Sequence, residues 1–191
     1  MSPRTLDQNI ILKQEKKQLI LNAALNVFSE KGYHASSISQ ISQKANISKG
    51  LIYNYFESKE DVLKTIIFDI ADSILEKYPE GNFSLTNLDI EYFIDKSIDF
   101  VLDDTTRAKL LFSISSQPGV MDIIFHKMME KALPFMNLLT DYFKNNKAEE
   151  PQVMMYYFLS VLDGVQMHMI TNSAFPVEKI RLIIKKQFLK S

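Results

Sequence analysis

The chain is 191 residues long, has neither cysteine nor tryptophan, and combines 46% hydrophobic with 24% charged residues at a formal net charge of −1. That composition belongs to a folded globular protein, and it excludes disulfide frameworks, Cys-ligated zinc, iron–sulfur clusters and thiol nucleophiles. The opening MSPRTLDQNIILKQEKK lacks the layout of a secretory signal, and the longest strongly apolar stretch, 153–162, stops at Asp163, so a cytoplasmic protein without a membrane span is expected.

From 14 to 31, Leu19, Ile20, Ala23, Ala24, Val27 and Phe28 recur at helical spacing, and Gly32 after Lys31 reads as a helix stop. Ser37 and Gln40 then form a capping-box pattern ahead of a short helix with Ile38, Ile41 and Ala45 on its apolar face. Asn46-Ile47 breaks the run, and Ser48 is a suitable cap for a second short helix through Asn54. Ser58, with Asp61 three residues on, caps a longer helix carrying Val62, Leu63, Ile66, Ile67, Ile70 and Ile74, expected to end near Tyr78. Pro79 to Ser84 reads as a loop. Helices follow over 87–102, 105–115, 118–145, 151–172 and 176–189, with Pro118, Pro151 and Pro176 at first-turn positions that tolerate a missing amide. No stretch reads as a strand ladder, so the expected fold is all-α.

The near-zero charge is an average over unlike parts. Residues 1–60 hold eight Lys/Arg against five Asp/Glu, or +3; the remainder holds fourteen against eighteen, or −4. The basic third also carries the two short helices, an arrangement suited to the DNA major groove: a short, polar, exposed helix braced by the one before it. Ser48, Lys49 and Gly50 place free amides and a positive dipole end at the start of the second helix. Tyr53, Asn54 and Tyr55 carry hydroxyl and amide groups outward, while Ile47, Ile52 and Phe56 face in, and Lys59 is placed to clamp a further phosphate. Each has a plainer reading: Tyr53 as a packing ring, Ser36 and Ser37 as caps, and Lys13, Lys16 and Lys17 as a solvated basic turn.

The segment GYHASSISQISQKANISKGLIYNYFESKEDVL, 32–63, resembles the helix-turn-helix signature of the tetracycline-repressor (TetR) family of bacterial transcriptional regulators, which joins glycine, hydroxyl, apolar and aromatic positions. It departs at Asn46, where glycine is commonest, and at Ser42, where alanine is; asparagine tolerates a left-handed turn. The resemblance implies an N-terminal three-helix DNA-binding domain over 1–60, extending into a linking helix to about 78, and a larger helical ligand-binding and dimerisation domain over 61–191. It implies DNA contacts from Ser36, Ser37, Lys49, Gly50, Tyr53, Asn54, Tyr55 and Lys59. The expected activity is that of a homodimeric repressor on a palindromic operator of double-stranded DNA, released by a small hydrophobic or aromatic inducer. A DNA-binding dimer without a small-molecule inducer is the alternative.

Residues 61–191 are rich in Phe, Tyr and Met. Most of these belong to a core; a ligand cavity, if Met- and aromatic-lined, draws on Phe100, Phe112, Phe125, Met128, Tyr156 and His168. The last two helices are apolar on more than one face, which requires a second partner, and Tyr157, Val161, Gly164, Val165, Ile180 and Ile184 are the expected dimer contacts. Glycines at only 32, 50, 81, 119 and 164 allow no phosphate loop or dinucleotide fingerprint and no nucleophile elbow. Asp122, His126 and Glu130 share a helical face, but interspersed lysines make it a solvated surface, so no metal, no cofactor and no enzymatic activity are expected.

Overall fold

The computed structural model describes residues 6–75 and 84–189. The helix end expected near Tyr78, the loop from Pro79 and the side chain of Ile74 lie outside the described residues. The helices are α1 (Leu6–Lys31), α2 (Ile38–Lys44), α3 (Lys49–Tyr53), α4 (Lys59–Leu75), α5 (Asn87–Asp103), α6 (Thr105–Ser115), α7 (Val120–Asn145), α8 (Pro151–Thr171) and α9 (Val177–Phe188). No strand occurs among the described residues, and the fold is all-α. Two boundaries differ from expectation by more than one residue. α1 starts eight residues earlier, because Ile10 and Ile11 are 60% and 58% exposed and this first stretch buries no stripe for periodicity to register. α7 starts at Val120, and Pro118 sits in the preceding turn.

The chain divides into two compact units, residues 1–69 with 110–124, and residues 70–109 with 125–191. In the first, Ile20, Ala24, Val27 and Phe28 form the buried stripe of α1. Ile41, Ile52, Phe56, Val62, Leu63 and Ile66 complete a core in which none of these ten side chains is more than 3% exposed. Burying each large one contributes roughly 1.5–3 kcal/mol before entropy is counted. Gly32 ends α1 at φ +82°, a left-handed conformation that spares a carbonyl-capping turn the Cβ clash. Beyond it, the Tyr33 amide donates to Gln117 Oε1 (2.6 Å) and His34 Nε2 donates to the Pro118 carbonyl (2.7 Å). The turn between α6 and α7 is thereby docked on the end of α1.

In the second unit α5 packs on α8 and α9. Phe93, Phe135, Phe143, Phe158 and Phe188 form its aromatic centre, with Phe93–Phe135 centroids 4.6 Å apart and Phe158–Phe188 edge-on at 4.9 Å. An ionic seam runs along α5 and α9. Arg181 reaches Asp95 (2.9 Å) and Asp99 (2.7 Å), and Lys185 reaches Asp95 (2.7 Å) and Glu91 (3.0 Å). Burial alone raises the Asp95 pKa, but hydrogen bonds from Lys185 and Arg181 outweigh it and hold the carboxyl below its ordinary value.

Candidate nucleic-acid interface

Serine caps build the two short helices. The Ser37 hydroxyl accepts from the Gln40 amide (3.3 Å) while Gln40 Oε1 accepts from the Ser37 amide (2.9 Å), the expected capping box. Asn46 turns the chain at φ +53°, the left-handed conformation its side chain tolerates. The Ser48 hydroxyl then accepts from the Leu51 amide (3.2 Å) and opens α3. Ser58 caps α4 through the Asp61 amide (3.0 Å), and Asp61 answers by accepting from the Glu57 amide (3.0 Å).

α3 buries Ile52 alone and turns its other face outward. Lys49, Gly50 and Asn54 are exposed, Tyr53 is 56% exposed and Tyr55 half-buried. Among the described residues the side chains of Lys49, Tyr53 and Tyr55 make no hydrogen bond or ion pair within the chain. Gly50 is equally uncommitted: a Cβ built on it meets only the Ser48 hydroxyl, at 4.0 Å. Nothing inside the molecule requires glycine there, so the missing side chain leaves room for something outside it.

Two of the expected contact residues are engaged inward. Ser36 is 6% exposed and its hydroxyl donates to the Tyr33 carbonyl (2.6 Å). Lys59 donates to the carbonyls of Tyr33 (2.7 Å), Ser36 (2.9 Å) and His34 (3.3 Å), with its ammonium 4.4 Å above the centre of the Tyr33 ring. Burial lowers the Lys59 pKa and raises that of the Tyr33 phenol. All three ammonium protons thus hold the turn ahead of α2. No sequence signal linked Lys59 to carbonyls 23 to 26 positions away.

The six residues expected at a ligand cavity differ in exposure. Phe112 (41%), Phe125 (55%), Tyr156 (52%) and His168 are exposed, and Phe100 and Met128 are half-buried. Phe and Met content alone cannot tell an exposed helix face from a buried one. A cavity of about 400 Å³ lies elsewhere in the second unit, where the end of α5 and start of α6 face the end of α8 and start of α9. None of the six lines it, though His168 stacks on one wall residue, Phe175, at 5.5 Å between centroids. Of the expected dimer contacts, Val165 and Ile184 are buried in the unit's own core, on helices that both pack on α5. Val161 and Ile180 are half-buried, Gly164 is exposed, and Tyr157 is 46% exposed and accepts from Gln187 Nε2 (2.8 Å). Val153, Tyr156, Leu182 and Ile183 are also exposed on these two helices. Among the described residues no cluster of His, Asp and Glu is placed to hold a metal, and no helix is long and apolar enough to cross a membrane.

A three-helix unit whose capped third helix projects free polar groups defines a helix-turn-helix protein. Residues 20–66 match the family described as bacterial regulatory proteins, tetR family. It is similar to the HTH-type transcriptional regulator HbdR of Aromatoleum sp. (strain CIB), 37% identical over 76 residues, 40% of this chain and 33% of that protein. It is likewise 37% identical over 68 residues to the fatty acid metabolism regulator protein of Bacillus subtilis, 36% of this chain and 35% of that one. These matches span about a third of the length of the curated relatives. The fold is shared more widely. The solved regulator FadR from Bacillus subtilis, in complex with stearoyl-CoA, superposes with TM-score 0.69 over 91% of this chain and 97% of its own, at 19% identity.

Proposed function

We propose that the protein is a cytoplasmic, homodimeric transcriptional repressor that binds a palindromic operator through α3 and is released by a small molecule held in its second unit. The observation that carries this reading is the outer face of α3, where the side chains of Lys49, Tyr53 and Tyr55 make no intramolecular hydrogen bond or ion pair beside a glycine that internal packing does not need. Lys49, Tyr53, Asn54 and Tyr55 contact phosphates and base edges, and Ser37 lies at the same margin. Gly50 admits the backbone to the duplex, and Ser36 and Lys59 shape the turn behind them. We assign reading to residues 1–60 and the linking helix, and sensing and dimerisation to 61–191.

Dimerisation is supported by the exposed apolar residues of α8 and α9, where Leu182 and Ile183 are 67% and 59% exposed. A twofold dimer carries two reading helices about 34–36 Å apart and so requires an inverted repeat. Ligand release is supported by the cavity beside α8 and α9; the structural neighbour of similar fold was solved with an acyl-CoA. Fluorescence anisotropy with duplexes from upstream of the protein's own coding sequence tests the reading. Binding at least 100-fold tighter than to random duplex at the same salt is expected. Equal affinity for both overturns it.

A further inference from the structure

The cavity at the α5–α6 and α8–α9 junctions has a lining whose chemistry narrows its ligand. Val101, Met169, Ile170 and Phe175 form its apolar walls. The polar fringe is mostly engaged at home. Thr105 Oγ1 donates to the Val101 carbonyl (3.0 Å), Thr171 Oγ1 donates to the Met167 carbonyl (2.9 Å), and Asn172 Oδ1 accepts from the Ala174 amide (3.0 Å). Lys109 differs: it lines the cavity and, among the described residues, has neither an ion pair nor a hydrogen bond. No Asp or Glu lines the cavity. The carboxylate nearest in sequence to Thr105, Asp104, caps α6 by accepting from the Arg107 amide (2.8 Å).

An ammonium attracts an anion by charge as well as by hydrogen bonding, whereas a neutral polyol offers it hydrogen bonds alone and a cation is repelled. Apolar walls with one unpaired positive charge at the fringe suit an anion with an apolar body. The volume of about 400 Å³ lies near the small end of ligand pockets, which restricts that body to a compact one. We propose that this cavity binds a compact aliphatic monocarboxylate, its chain against Phe175 and Met169 and its carboxylate on the Lys109 ammonium. The proposal rests on the sensor reading above and gives it a place and a ligand chemistry.

Calorimetric titration of the full chain with octanoate and with octanamide, which has the same body without the charge, tests it. Octanoate saturates one site per chain and octanamide binds about fivefold more weakly, the scale of a charge-assisted contact at an exposed lysine. Lys109→Gln weakens octanoate about fivefold and abolishes the acid–amide difference. Since the chain has no tryptophan, Ser173→Trp supplies a lone indole at the rim, excited apart from the tyrosines at about 295 nm, whose emission follows the same isotherm. Absence of saturable octanoate binding, equal affinity for acid and amide, or an unaffected Lys109→Gln variant overturns the proposal. The two readings fail separately. Octanoate binding that leaves operator affinity unchanged sinks the sensor role and keeps the site; intact operator binding without octanoate binding sinks the site alone.

Discussion

Lys49 and Lys59 lie ten positions apart in the reading unit and have opposite duties. Lys49 stands exposed without an internal partner, whereas Lys59 holds three carbonyls of the turn before α2. Lys49→Ala is expected to leave thermal stability unchanged and to reduce the slope of log affinity against log salt by about one, the signature of one lost phosphate contact. Lys59→Ala is expected to cost about 1–3 kcal/mol in a denaturant melt by leaving those carbonyls short of donors, with the salt slope of the remaining folded protein unchanged. A slope that moves with Lys59 and not with Lys49 reverses the assignment. Gly50 separates stability from function further. Alanine fits its space and favours helix, so Gly50→Ala should raise stability by roughly 0.5–1 kcal/mol while weakening operator binding at least tenfold. A stabilised variant with full affinity shows that no backbone approach occurs there.

At the scale of elements, the α5–α9 seam makes the second unit sensitive to acid. Asp95 is more acidic in the folded chain than in the unfolded one, so its contribution is fully present above the unfolded carboxylate pKa and is lost as pH falls through the lower folded value. Asp95→Asn is expected to lower stability by about 1–2 kcal/mol at pH 7, and the gap to the unsubstituted chain should close as pH drops below about 4. Urea melts at pH 7 and pH 3 measure it, and an equal gap at both rules out the seam as its source. The elements themselves were largely legible in the sequence, since capping is local: Ser37 with Gln40, Ser48 with Leu51 and Ser58 with Asp61 lie within one turn of their partners. The seam was not legible, because Asp95 and Arg181 are far apart in the chain and charged residues on a helix face look alike whether solvated or paired. The same limit explains why Phe125 and Tyr156, read as pocket walls, lie exposed, and why the charged wall residue Lys109 carried no signal. The outward residues of α3 were legible because the helix is short and buries Ile52 alone, a pattern that a few residues of sequence suffice to show.

For the whole molecule, the proposed function requires two copies of the chain, since one α3 contacts only half of an inverted repeat. The exposed Leu182 and Ile183 of α9 offer the means. Ile183→Glu buries a charge in any such contact and is expected to convert the protein to a monomer in sedimentation experiments, with operator affinity reduced at least 100-fold and the helical content unaltered. A dimer that survives this change places the interface elsewhere. The turn between α6 and α7 has a different consequence. Because Tyr33 and His34 are anchored to Gln117 and Pro118, the reading unit is discontinuous in the chain, 1–69 completed by 110–124. An excised N-terminal fragment would leave two anchors behind. A foreign 1–69 segment grafted onto this chain must therefore bring its own 110–124 counterpart or inherit one that fits.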